Sequence, residues 1–548
     1  VVKYQSTNVN NVAGATLTTF AIKAAVQDCL KQAGLNPKDY AKAVPQPKKA
    51  GGKVEEKTDV IVVGAGGAGL SAAVAAAQRG LNVIVVEKAH FAGGNTSVSG
   101  GCFNAAGPEG QKPISMTEGQ KESIENLLGE KPKNKLQEKL ISQVKQQWDA
   151  YKQSGSKSLF DSPELHALQS WKAGDYKANL ALVYKLTKEA PAIQKTLAGM
   201  GLVWQKQPTQ FVGALWPRSH RASNYKSGVG YIDTYLDLIK GEKLPISFMM
   251  STPASSLITK DGAVVGVKAS GPDGKDYTLY ASKGVILATG GFSANVKMRN
   301  QYDEIWDKKL DNQVKTTNMP AITGDGINMA VKAGAGLKDM GYIQLLPTTD
   351  PATGATNHKI VESTNIYVNK QGRRDVLAKA ALAQPDHVFY VIGTEQTLLK
   401  DKEGRGPYGI LISDLLKQKK AFKADTLDEL AKKLGMNPDN LKRTVAKWNE
   451  FCKTQKGDEF GRMSCEEGNK LPGGPYYASV MTPSVHHTMG GVTIDEDTRV
   501  LDKNGRPIRG LYAAGEIPGG IHGTNRVGCN AVPDALIFGT IAGREVGK

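Results

Sequence analysis

The chain has 548 residues, 40% hydrophobic and 22% charged, the balance of a soluble globular protein with room for two or three domains. Its net charge of +17 comes without zinc-finger spacing or an RNA-binding signature. Nucleic acid is therefore not an expected partner; a field that attracts anionic substrates, a negatively charged cell envelope or a generally basic proteome each accounts for the charge. Five cysteines (Cys29, Cys102, Cys452, Cys465, Cys529), widely spaced and without CxxC or CxxCH patterns, exclude haem, iron–sulfur and zinc sites and predict no disulfide framework.

The chain opens on Val1 rather than methionine and shows no signal-peptide pattern, as a processed product would. Thr19 to Gln32 has helical apolar spacing at Phe20, Ile22, Ala25, Val26, Cys29 and Leu30. The preceding Gly14-Ala15-Thr16-Leu17-Thr18 resembles the tail of an FMN-binding domain, which makes Thr16 the expected site of a covalent FMN ester. Asn10 and Ala13 depart from that pattern, where it has an acid and a hydroxyl residue. The alternative for residues 1–40 is a short helical segment packed on the main body. Residues 41–57, rich in Pro, Lys and Gly, read as a linker.

Residues 58–87, TDVIVVGAGGAGLSAAVAAAQRGLNVIVVE, form the most informative stretch. Val60–Val63 reads as a strand buried on both faces, Leu70–Gln78 as a helix and Leu81–Val86 as a second strand. Between them Gly64, Gly66, Gly67, Ala68 and Gly69 make a GxGxxG turn that presents a helix N-terminus to a pyrophosphate. Glu87 stands where an acid accepts hydrogen bonds from a ribose hydroxyl. The charge-free run 60–77 approaches the length of a membrane span, but the glycines at its centre argue against one.

Small and hydroxyl residues follow in KAHFAGGNTSVSGG, where Lys88, Gly94, Asn95, Thr96, Ser99, Gly100 and Gly101 suit the backbone to a flat ring system. Residues 115–200 are helical by periodicity, with Trp148, Tyr151 and Trp171 expected in the core. The basic aromatic loop 213–221 fits core packing and cofactor contact equally well. Residues 246–292 alternate as strands, the last ending in Ala288-Thr289-Gly290-Gly291. Another short strand precedes Gly515-Glu516.

With AAGEIPGGIHGTNRVGCNA at 513–531 and VHHTMGGV at 485–492, these motifs resemble the fumarate reductase flavoprotein family over about residues 55–548. More narrowly they resemble its flavocytochrome c and urocanate reductase members. The resemblance implies an α/β fold: an FAD-binding Rossmann-like, two-dinucleotide-binding domain over 58–342 and 483–548, with an inserted α+β capping domain over 343–482. Thr426 to Lys453, helical and charged, would be a solvated lid. The implied cofactor is FAD, held by the residues above together with Ala254, Asp325, Asn530 and Ala531.

The implied reaction moves a hydride from flavin to the β-carbon of an α,β-unsaturated carboxylate and a proton to its α-carbon. By the same resemblance Arg526 and His487 hold the carboxylate, with His486 beside them, and Arg374 donates the proton. The run Gly372-Arg373-Arg374-Asp375 is shorter than the family's loop. Leu346 stands where fumarate reductases carry a histidine, which turns the expectation from fumarate towards urocanate or an arylacrylate. His358 and Glu362 are the nearby polar candidates. Fumarate, a steroid 1,2-dehydrogenation and a non-catalytic electron-transfer subunit are the competing readings. Electrons would come from an external flavin, reductase or membrane chain, and the expected location is extracytoplasmic or envelope-associated, with the cytoplasm as the alternative.

Overall fold

A computed structural model describes residues 6, 16–42, 51–211, 213–225, 227–356, 366–373, 381–384, 386–406, 410–454 and 469–548. Its main elements begin with helix α1 (Thr16–Gln32), strand β1 (Lys53–Val63), α2 (Gly67–Ala77), β2 (Val83–Val86), α3 (Gly94–Val98), α4 (Pro163–Ala173) and α5 (Leu180–Gly199). Strands β3 (Ile246–Met249), β4 (Ala254–Lys260), β5 (Ala263–Ser270) and β6 (Asp276–Leu287) follow, then α6 (Asp325–Lys332), β7 (Ile343–Thr349), β8 (Ile366–Val368) and β9 (Phe389–Thr394). The remainder comprises β10 (Ala421–Ala424), α7 (Leu427–Leu434), α8 (Pro438–Thr454), β11 (Tyr476–Thr488), β12 (Arg499–Leu501), β13 (Pro507–Ala513) and α9 (Ala531–Glu545). The chain divides into two units, one of residues 1–294, 319–342 and 489–548, the other of 295–318 and 343–488.

The first unit is organised on an eight-stranded sheet in the order β12-β13-β6-β1-β2-β3, with the β4–β5 hairpin joined to β6. Strands β13, β6, β1, β2 and β3 are parallel, so their carboxyl ends share one edge. Val60–Val63 is buried, as an uninterrupted β-branched run between two parallel neighbours requires. Helix α9 packs on α2, and small residues allow the close approach. A Cβ on Gly539 would lie 2.1 Å from Ser71 Oγ and 2.4 Å from Ala68 O, and one on Gly543 would lie 2.2 Å from Ala72 O. The guanidinium of Arg79 donates to Gly543 O and Val546 O, satisfying carbonyls at the end of α9.

The structure bears on three expectations in this unit. Lys53–Lys57 is strand rather than linker: it pairs with residues 276–280 and alternates exposed with half-buried positions, a period that its charges hid. The loop around Trp216 belongs to the core, where Arg218 forms a buried bidentate pair with Asp161 (2.7 and 3.0 Å) and also donates to Gln169. Cys102 and Cys529, separated by 427 residues, are joined in a disulfide that sequence spacing could not suggest. Trp148 and Trp171 are buried as expected. Helix α1 covers the periodic segment and starts three residues before it; of residues 7–15, which precede Thr16, nothing is described.

The second unit holds a five-stranded antiparallel sheet in the order β7-β11-β9-β8, with β10 also paired to β11. Helices α7 and α8 cover it. Leu441, Val445, Trp448 and Phe451 lie on one stripe of α8 and join Ile366, Ile392 and Ala478 in the core. The expected solvated lid is therefore an amphipathic cover whose inner face completes the sheet. Among the described residues, no helix is long and apolar enough to cross a membrane.

Candidate active site

The turn after β1 explains its glycines one at a time. Gly64 has φ +110°, and a Cβ there would lie 2.3 Å from Ala288 O; one on Gly69 would lie 1.8 Å from Gly64 O. Those two are required by the chain itself. Gly66 is not: its φ of −76° suits any residue, and its Cβ would meet nothing nearer than Gly93 O at 3.9 Å. Gly66 is the N-cap of α2 and brings no side chain to the helix N-terminus. Gly67 N donates to Thr96 Oγ1 (3.2 Å). Glu87 ends β2 and accepts from Ala65 N (2.8 Å) and Ala89 N (2.7 Å), tying the glycine turn to the next loop.

The other expected cofactor residues lie in this unit, most of them beyond the shared carboxyl edge of the sheet. Lys88 Nζ bonds Asp325 Oδ2 and Thr323 Oγ1, each at 2.7 Å. Asn95 accepts from Met319 N (2.9 Å) and donates to Glu516 (3.4 Å). Gly94 starts α3. Ser99 Oγ donates to Thr96 O and accepts from Gly101 N, which shapes the turn through Gly100 and Gly101. Thr252 N donates to Glu87 O, bringing the chain that leads to Ala254 against the end of β2. Thr289, Gly290 and Gly291 follow β6, and Gly515 and Glu516 follow β13. Thr289 Oγ1 is buried without a hydrogen-bond partner. That orphan and the open space beside Gly66 at the N-terminus of α2 together fit a bound FAD.

Arg526 belongs to the same unit. It is 6% exposed and donates to Val527 O (3.0 Å). Burial pulls its guanidinium down to about 10, while the charges of Glu516 and Asp534 act in the opposite sense. Its loop is held along its length. Gly520 O accepts from Asn179 N (2.7 Å), Thr524 N donates to Gly174 O (3.2 Å), and Gly528 N donates to Gly213 O (2.7 Å). His522 Nε2 lies 3.0 Å from Asp534 Oδ2, both buried. At the far end Cys529 is bridged to Cys102, and Asn530 meets Asn104, His166 and Ser170.

Apart from Asn530, expected at the cofactor, these supporting residues were not singled out from sequence. Asn530 Oδ1 already accepts from Asn104, so the contact at 3.2 Å assigns His166 Nε2 as a donor and leaves its Nδ1 a bare acceptor. Burial, aided by the charge of Arg218, pushes the His166 pKa well below the ordinary value. Their partners lie up to 426 residues away, beyond any local pattern. The Asn and Asp of the 530–534 helix start were the nearest available signal.

In the second unit, β7 and β11 place Gln344 opposite His487 and Leu346 opposite Ser484. His487 faces Gln344 and Val485 faces Leu345, so His486 is an extra residue, a β-bulge in β11. Its Nδ1 meets Thr317 Oγ1 at 2.7 Å. His487 is buried, whereas His486 and Leu346 are half-buried. The structure thus brings His486, His487 and Leu346 onto one pair of strands, with Arg526 in the other unit. Arg374, His358 and Glu362 lie outside the described residues, and of Thr16 only its place at the start of α1 is described.

The sequence model of the FAD binding domain family matches residues 59–155 and 148–532. The chain is 36% identical to the NADH:acrylate oxidoreductase of Vibrio harveyi, over 99% of its own length and 55% of that protein's, so it spans about half of that relative. It is 32% identical to the urocanate reductase of Eggerthella lenta, over 99% of this chain and 83% of that one. Among solved structures, the open conformation of a flavocytochrome c3 fumarate reductase matches with a TM-score of 0.64 at 29% identity, covering 89% of this chain and 78% of that one.

Proposed function

The chain belongs to the FAD binding domain family of flavin-dependent oxidoreductases, and from that premise we propose that it reduces the carbon–carbon double bond of an α,β-unsaturated carboxylate. The observation that carries this reading is Arg526. It is a guanidinium buried to 6% exposure in the unit with the FAD fingerprint, on a loop tied to Gly174, Asn179 and Gly213. A carboxylate matches its planar fork.

Bound FAD supplies the hydride that reaches the β-carbon. Arg526 holds the substrate carboxylate and, with His487 as a second contact, withdraws electron density so that the β-carbon accepts the hydride more readily. Arg374 delivers the proton to the α-carbon. Its loop brings Arg373 close in sequence as the alternative donor. Leu346 offers no donor to a second carboxylate, which favours an acrylate, urocanate or arylacrylate over fumarate. The reductant is an external electron donor.

The test is reoxidation of the chemically reduced flavoprotein by acrylate, urocanate, cinnamate, crotonate and fumarate, followed by flavin absorbance. Monocarboxylates should reoxidise it faster than fumarate. Arg526→Ala should lower kcat/KM by about 10²-fold or more. Arg374→Ala should keep a reducible flavin and lose about 10²–10⁴ in turnover. Reoxidation by none of the acids, or a wild-type rate in Arg526→Ala, would overturn the reading.

A further inference from the structure

The disulfide lies at a boundary within the first unit. Cys102 directly follows Gly100 and Gly101 of the turn shaped by Ser99; Cys529 comes three residues after Arg526 and directly before Asn530. Among the described residues it is the sole covalent bond between these two segments; the others are hydrogen bonds. Asn104 N donates to Cys529 O, and Asn104 Nδ2 donates to Gly528 O and Asn530 Oδ1. Cys529 also sits at φ +68°, in the left-handed region that a residue with a Cβ rarely occupies. A cross-link is a direct means of holding it there.

The two cysteines differ in burial. Cys529 is 7% exposed, whereas Cys102 is half-buried. Exchange rates depend on which sulfur is reachable, and Cys102 is the less buried residue of the pair.

We propose that Cys102–Cys529 is a thiol-exchange site that sets the order of the Arg526 loop. A small thiol or a protein dithiol attacks Cys102 Sγ; a new S–S bond forms there, the Cys102–Cys529 bond breaks, and Cys529 leaves as thiolate and takes up a proton. A second thiol attacks the mixed disulfide, releasing Cys102 as a thiol and the reductant as its disulfide. Two thiols are oxidised and one protein disulfide is reduced. In the bridged form the loop is preorganised for a carboxylate. In the dithiol form residues 527–530 are held by hydrogen bonds alone, and Arg526 samples other positions. The effect on substrate rests on the reading of Arg526 given above; the effect on loop order does not.

The experiment compares the full FAD-loaded chain under oxidising conditions and after anaerobic treatment with dithiothreitol. Differential alkylation and peptide mass report the state of Cys102 and Cys529. Reduction should raise KM for acrylate about tenfold, since small misplacements of a binding group are costly. It should also speed amide hydrogen exchange over residues 522–530, and reoxidation should reverse both. Cys102→Ser and Cys529→Ser, checked for bound flavin, should show the reduced behaviour and ignore dithiothreitol. Cys29→Ser, at the exposed free thiol of α1, should respond as the wild type does.

A bridge that is reduced by mass yet leaves KM and exchange unchanged would overturn the proposal, as would free thiols at both positions in oxidised protein. If no acid is turned over, the carboxylate reading fails by itself, and exchange over 522–530 still decides for or against the latch.

Discussion

Of the glycines in the turn after β1, Gly66 is the one the protein could replace without harm to its own packing. Its φ is ordinary and its Cβ would face open space. Gly66→Val should therefore leave the apoprotein's stability within about 1 kcal/mol of wild type while abolishing FAD retention, because the side chain occupies the approach of the pyrophosphate. Gly69→Ala should instead fail at folding, since its Cβ collides with Gly64 O. Thermal unfolding of the apoprotein and flavin absorbance after gel filtration separate the two; a Gly66→Val protein that keeps FAD would refute the assignment. This residue was legible because its pattern is local: strand, turn, helix and acid within thirty positions. Cys102, His166 and Asp534 were not legible, because their meaning depends on partners that only the folded chain supplies. Cysteine spacing in particular carries no information about a pair 427 residues apart.

Helix α9 reaches α2 only where it lacks side chains. Gly539→Ala places a methyl 2.1 Å from Ser71 Oγ and 2.4 Å from the main-chain oxygen of Ala68, so the helices must separate. The expected cost is about 1–3 kcal/mol for overpacking, read as a lower urea midpoint, with weaker FAD binding because α2 carries the anion-facing end. An unchanged midpoint would mean that α9 shifts freely. At this scale sequence reading succeeded wherever one period dominated, as in β1, α2 and the helices around Trp148. It failed where charge masked the period. Lys53–Lys57 alternates as a strand does, and Thr426 to Lys453 hides its apolar stripe among lysines. The bulge at His486 has no sequence signal, because an inserted residue shows only against the register of the partner strand.

The whole chain has a net charge of +17, a field through which the proposed carboxylate substrate would approach. kcat/KM for acrylate should fall several-fold as salt rises from about 0.02 M to about 0.5 M, while an uncharged acrylamide-type substrate should be indifferent. A flat salt profile for the acid would assign the charge to some other purpose. The order in which the sheet is laid down has a further outcome. The second unit is complete in sequence at Thr488, whereas β13 and α9 of the first are made later, and Arg79 waits 464 residues for the carbonyl of Gly543. During synthesis the nascent β1–α2 segment therefore leaves the ribosome tunnel long before its cover exists. Its apolar surface is in the meantime a natural client for a holding chaperone, and contacts of such separation form slowly. Loading of the cofactor then belongs after translation of α9, as a step of maturation.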